Sequence, residues 1–202
     1  MQRIYPFLRR NFKKEAELTV DEIIEGCKTS DNLARRELYE RYSGLIYGIL
    51  RRYVNDRSTA EDLLHDVFVT IFTKIGDFSG RGSFEGWCSR IAVNTALNYF
   101  RRTSPMQDSV AVEDVRTLTS TEESAISRMS AEELLDAMSQ LPQGFRTVLN
   151  LYAVEGYSHK EIAEMLGITE ATSRSQYWRA RNRLLELLGR NGYVEKKQKK
   201  DI

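Results

Sequence analysis

Gly167 constrains this chain more than any other residue. It stands between two stretches of helical periodicity and is followed at once by Ile168 and Thr169. Glycine takes a positive φ without steric cost, so this punctuation predicts two helices meeting at a sharp turn, not one long helix or a strand. Upstream, Ser158 is placed to N-cap a short helix, with Glu161 three positions on to complete a capping box, and Ile162, Ala163 and Leu166 share one face. Ile168 serves as a plug between the helices, and Thr169 caps the second. From there Ser173, Tyr177, Ala180, Leu184 and Leu187 or Leu188 recur at spacings of three and four and form a buried stripe. The segment reads as a helix-turn-helix.

Its second helix carries Glu170, Arg174, Ser175, Trp178, Arg179 and Arg181 on the other side, which we expect to be exposed. Guanidinium groups there suit phosphates or the major-groove edge of guanine, and Ser175 can donate to either. Most basic helix faces are merely solvated. A capped helix and a Gly-apolar-Thr turn directly ahead of this one favour duplex DNA. The formal net charge of +1 hides this local concentration, because carboxylates gather mid-chain while arginines crowd this helix and lysines the KKQKK tail.

Several function classes fall away. Cys27 and Cys88 are far apart with no CxxC, which gives neither a disulfide framework nor zinc spacing, and fits a reducing compartment. His65 and His159 each stand alone, without a second ligand at metal spacing, and read as ordinary helix-surface histidines. No nucleophile-base pair or phosphate loop appears, so we expect no enzyme, no catalytic residue, no metal and no cofactor. No run approaches signal-peptide or membrane-span length. A stand-alone helix-turn-helix regulator remains the alternative reading.

The rest of the chain repeats helical periodicity without a strand pattern, so the fold class is all-α. Leu38, Tyr42, Leu45, Ile46, Ile49 and Tyr53 make one amphipathic stripe, and Leu63, Leu64, Val67, Phe68, Ile71, Phe72 and Ile75 a broader second. Ser58 or Thr59 is expected to cap that second helix. Residues 76–83 form a loop with three glycines, and a third helix runs from about Phe84 to Arg102 with Trp87 in the core. Residues 103–121 are short, polar and without apolar period, and read as a flexible linker. Two small helical domains result: an N-terminal extension over 1–19, a first domain over 20–102, a second over 122–190 whose early helices place Ala125, Met129, Leu134, Leu135, Met138 and Tyr152 inward, and a basic tail over 191–202.

Four stretches, LYERYSGLIYGILRRYV, AEDLLHDVFVTIFTKIGDF, GSFEGWCSRIAVNTALNYFRR and LPQGFRTVLNLYAVEGYSHKEIAEMLGITEATSRSQYWRARNRLLELL, come in an order that resembles the bacterial RNA polymerase sigma factors of the extracytoplasmic-function group. These are minimal members of the sigma-70 family that keep only regions two and four. The resemblance implies a promoter-specificity subunit, with core RNA polymerase as partner through its β′ clamp helices and β flap. It also implies contact with promoter DNA, both duplex and single-stranded, no small-molecule substrate, and an anti-sigma factor as antagonist. Localisation is then cytoplasmic, near the membrane where the antagonist is membrane-bound.

Under that resemblance the upstream −35 element is read by Glu170, Arg174, Ser175, Trp178, Arg179 and Arg181. Ser173 and Gln176 depart from the family, which often has a valine and a basic residue there, so base preference does not carry over. The melted −10 element falls to Phe78, Phe84, Arg90, Asn94, Asn98, Tyr99, Arg101 and Arg102, which combine stacking faces with groups for backbone and base edges. Asn94 is placed at the base pocket. Asp62, Leu63, His65, Asp66 and Phe68, acidic and apolar together, are assigned to docking on core polymerase.

Overall fold

Side-chain caps decide where most of the helices begin. In a computed structural model, which describes residues 18–103 and 130–190, every regular element among those residues is helical. Thr19 opens α1 (Val20–Lys28) through a capping box with Glu22, and Asp31 opens α2 (Asn32–Tyr53) by accepting from the Ala34 amide at 2.8 Å. Asp56 caps α3 (Arg57–Lys74), accepting from both the amide and the hydroxyl of Thr59 at 2.7 Å. This corrects the expectation of Ser58 or Thr59: a carboxylate accepts two bonds at once, and Thr59 becomes the donor inside the first turn. A 3₁₀ turn over Ile75–Asp77 leads through the glycine loop to α4 (Phe84–Thr103).

The second unit starts with α5 (Ala131–Ser139), boxed by Ser130 and Glu133, and continues with α6 (Gln143–Leu149), which widens into a π turn over Asn150–Val154. Then come α7 (His159–Leu166) and α8 (Glu170–Arg190). The linker, the tail and the expected inward positions Ala125 and Met129 lie outside the described residues, as does all but the end of the N-terminal extension.

Helices α1 to α4 bury one core around Ile23, Leu38, Ile46, Leu50, Tyr53, Val67, Ile71 and Leu97. Each fully buried aliphatic side chain contributes roughly 1.5–3 kcal/mol over leaving it in water. Leu45 does not join them and stays 37% exposed. Helix α2 is turned so that Leu50, on the opposite flank of the stripe, is covered instead. In the second unit α6 packs along α8, with Ala137, Met138, Leu141, Leu149, Ala180, Leu184, Leu187 and Leu188 inside. Tyr152, expected inward, lies exposed and stacks on His159. No helix among the described residues is long and apolar enough to cross a membrane.

The two units touch. The C-terminal end of α2 packs against α5 and α6, and Val148, Leu151 and Ile162 extend the core of α1 to α4 into the second unit.

Candidate nucleic-acid interfaces

The turn at Gly167 forms as its residues dictate. Ser158 Oγ accepts from the Glu161 amide at 3.3 Å, while the Glu161 carboxylate accepts from the Ser158 hydroxyl at 2.7 Å and from the Ser158 amide at 2.8 Å, and those last two bonds hold the carboxyl below its usual range. Gly167 takes φ 68° and ψ 34°, donating back to the Ala163 carbonyl. Thr169 Oγ1 accepts from the Thr172 amide at 3.0 Å and starts α8. His159 is no ordinary surface histidine. Its Nδ1 lies 3.0 Å from Ser173 Oγ and its ring stacks on Tyr152 at 4.2 Å, with burial foremost, then the charge of Arg174, pushing its pKa down.

On the outer side of α8, Arg174 keeps 61% of its side chain exposed and pairs with Glu170 one turn earlier. Ser175 is half-buried and its hydroxyl donates to the Thr172 carbonyl at 3.0 Å. Trp178, Arg179 and Arg181 are half-buried, which corrects their expected full exposure. The Arg181 guanidinium lies over the Trp178 indole at 5.1 Å, so each covers part of the other. The helix therefore presents Arg174 most openly, beside an indole whose face is already occupied.

The second surface is on α4. Arg90, Asn94, Asn98 and Arg101 are all exposed and recur at spacings of four, four and three, which places them in one row along the helix. Arg102 is exposed beside the row, and Tyr99 is half-buried, edge-on to Phe100 at 5.7 Å. Phe78 and Trp87 stand half-buried at the head of the row, their centroids 5.7 Å apart. Phe84 is not part of it. It is 5% exposed, stacked on Trp87 and met edge-on by Phe78 and Tyr42, and so anchors the aromatic cluster from inside. The expectation that Phe84 contacts DNA is corrected accordingly, and Trp87, expected inside, is only half covered.

A third face lies on α3. Asp62, His65 and Asp66 are exposed, whereas Leu63 and Phe68 are buried, Phe68 against Tyr39 at a centroid distance of 4.6 Å. Leu63 and Phe68 thus belong to the core and not to a docking surface. The apolar character of that face comes from Val69, 51% exposed, at the position completing the i, i+3, i+4, i+7 row from Asp62. Beside it, α2 and α3 enclose a groove of about 670 Å³ lined by Tyr39, Tyr47 and Leu64 and by the ion pairs Arg36–Glu40 and Arg57–Glu61.

Two family models match the helices that carry these faces. The model for sigma-70 region 2 matches residues 38–105, and that for sigma-70 region 4 matches residues 131–184. The ECF RNA polymerase sigma-E factor of Haemophilus influenzae is 32% identical over 176 residues, covering 82% of this chain and 93% of that protein. The chain belongs to the extracytoplasmic-function group of the sigma-70 family. RNA polymerase sigma factor CarQ of Myxococcus xanthus, 31% identical over 156 residues, covers 77% of this chain and 90% of its own length. RNA polymerase sigma-H factor of Pseudomonas aeruginosa is 29% identical over 171 residues, with 79% and 89% covered. The function is that of a sigma factor, which joins core RNA polymerase, directs it to promoters and promotes their opening, a regulatory and not a catalytic role.

Within this sigma factor two further positions besides Val69 lie beside these faces, one exposed and one half-buried. Arg81 is exposed between Gly80 at φ 73° and Gly82 at φ 83°, a pair of left-handed turns that lifts its side chain clear of the loop. Asn182 follows Trp178 by four residues on α8 and is half-buried, its Oδ1 covered and without a hydrogen-bond partner among the described residues. A Gly-Arg-Gly triplet and an i, i+4 step are both legible signals, and each was outweighed by the denser arginines nearby.

Proposed function

We propose that this sigma factor divides promoter recognition between α8 and α4 and meets polymerase through α3. Helix α8 enters the major groove of the upstream element, where Arg174 pairs with a guanine edge or phosphate and Ser175, Arg179 and Asn182 make flanking contacts. Trp178 and Arg181 act as one unit: the guanidinium keeps the indole upright beside the groove. Glu170 positions Arg174 through their ion pair.

The observation that carries the downstream half is the exposed row Arg90–Asn94–Asn98–Arg101 under the half-buried rings of Phe78 and Trp87. An unpaired base offers a π-face and a hydrogen-bonding edge, and its backbone offers phosphates. The row supplies amides for the edge and guanidiniums for the backbone, with Tyr99, Arg102 and Arg81 at its margins. Asn94, midway along the row and free of the core, reads the flipped base.

Asp62, His65, Asp66 and Val69 form the face for core polymerase, a charged rim around an apolar centre that suits docking on the β′ clamp helices. The second unit contacts the β flap, and an anti-sigma factor covering these faces holds the chain inactive in the cytoplasm. Run-off transcription tests the reading: purified chain plus core polymerase should start from specific promoters, and Asn94→Ala should lose opening on duplex templates but keep activity on templates already unpaired at the downstream element. Equal loss on both templates would remove Asn94 from the base pocket.

A further inference from the structure

A titratable ring sits between the two helices of the helix-turn-helix, and the upstream contacts of α8 do not use it. His159 is the first residue of α7 and is half-buried. Its Nδ1 lies 3.0 Å from the hydroxyl of Ser173, a fully buried residue on the inner side of α8. Its ring lies flat on Tyr152 of the π turn at 4.2 Å, 10° from parallel, and meets Tyr177 edge-on at 5.8 Å. The π turn and α8 therefore hold the imidazole from two sides.

The titratable and charged groups that face it are Tyr152 from the π turn and Glu170, Arg174 and Tyr177 from α8. Glu170 and Arg174 are the ion pair on the outer side of the recognition helix. Burial foremost, and then the Arg174 charge, disfavour a proton on His159, with Glu170 acting the other way. The Ser173 hydroxyl can donate to Nδ1 or accept from it, so the contact serves the neutral ring and the imidazolium alike. Ser173 directly precedes Arg174, so the ring is held beside the recognition helix in either charge state.

Coupling between two binding sites is reciprocal. Arg174 discourages the proton because two cations lie close together. A phosphate or guanine edge that takes up the Arg174 guanidinium offsets this repulsion, and the duplex phosphates around it favour an imidazolium. DNA bound at Arg174 then makes His159 easier to protonate, and a protonated His159 makes that DNA bind more tightly. Glu170 works in the same direction, since an imidazolium attracts its carboxylate and loosens the hold on Arg174. Histidine is the side chain whose charge changes near neutral pH, where such coupling is felt.

We propose that His159 is a proton-binding site coupled to the upstream element, so that the helix-turn-helix takes up a solvent proton on binding duplex DNA and its upstream affinity rises as pH falls. The proposal rests on the assignment of Arg174 to the upstream duplex. The direction is opposite to that of the fold's own stability, which falls over the same interval, so affinity is measured well below the melting temperature.

Two measurements test it. Proton NMR of the full chain gives the His159 titration midpoint directly, because the chain has two histidines and His65→Gln leaves one signal. Arg174→Ala should raise that midpoint, and a midpoint that does not move overturns the coupling. The second readout is the affinity of reconstituted holoenzyme for a labelled promoter fragment that supports run-off transcription, at about pH 7.5 and about pH 5.5, on either side of the ordinary histidine value. Between the two, the wild type should gain roughly fivefold more than His159→Gln, the lower end of the usual range for coupled sites. His65 is present in both proteins, so its titration cancels. Equal gains overturn the proposal. Should His159→Gln lose helix content, His159→Asn, whose amide reaches the Nδ1 position, replaces it with the same expectation. A wild-type holoenzyme that transcribes from no fragment would instead overturn the promoter reading, leaving the NMR result standing.

Discussion

The imidazole of His159 and the hydroxyl of Ser173 meet at 3.0 Å across the turn, joining the start of α7 to the buried stripe of α8. Burial and the nearby Arg174 lower the histidine's pKa from its ordinary 6.5, so the folded state binds a proton less readily than the unfolded chain. Stability therefore rises with pH: the contribution is complete above about 6.5 and is lost as pH falls through the depressed folded value. Thermal unfolding followed from pH 7.5 down to pH 5, approximate limits around the ordinary histidine value, should show a falling Tm that flattens in His159→Gln.

Gly167 sits at φ 68° with no atom within 4 Å of where a Cβ would stand. Substitution to alanine there meets no clash, and its cost is that of left-handed backbone alone, about 1–2 kcal/mol. Gly167→Asn should cost less than Gly167→Ala in denaturant unfolding, because asparagine tolerates that region. Equal and large losses would point to a steric role.

Phe84 and Asn94 are ten residues apart on α4 and should behave oppositely. Phe84→Ala, in the aromatic cluster, should destabilise by about 3–5 kcal/mol. Asn94→Ala should leave the Tm within a degree or two, roughly the effect of a surface substitution, and should abolish selective binding of the downstream single strand in the polymerase complex.

Arg174→Ala should cost roughly 1–3 kcal/mol at the upstream element if the arginine pairs with a base, with discrimination lost at one position. A uniform loss across sequences with a shallower salt dependence would make it a phosphate contact. Glu170→Gln, which frees Arg174 from its ion pair, should change the same affinity by a smaller factor.

On α3, Leu63→Ala should destabilise the fold by about 2–5 kcal/mol because the side chain is buried. Val69→Glu should instead leave the melting curve intact and weaken binding to core polymerase by about tenfold, or ~1.4 kcal/mol. Competition against a labelled wild-type chain separates the two.

Local signals carried much of this protein. The capping box at Ser158, the left-handed Gly167, the cap at Thr169 and the stripe from Ser173 to Leu188 are each a matter of a few neighbouring residues, and the structure forms them as the sequence predicts. The all-α class follows from the same periodicity, and the order of the four family stretches is that of the sigma-70 group. What periodicity leaves open is rotation. A stripe of apolar residues wider than one face can turn either flank inward, and packing against neighbouring helices chose Leu50 over Leu45 and drew Leu63, Phe68 and Phe84 inside.

Tertiary structure alone decided the contacts between distant residues. Arg52 meets Glu155 across 103 positions, Arg146 meets Asn55 across 91, and Arg101 reaches Met165 across 64. No spacing rule connects such pairs, because each depends on how the two helical units rest against each other. The sequence by itself determined the helices, their caps, the turn and the family, since those energies are local. Only the tertiary structure decided which charged side chains remain open to DNA and which are spent between the units, since burial and pairing there are set by surfaces brought together from far along the chain.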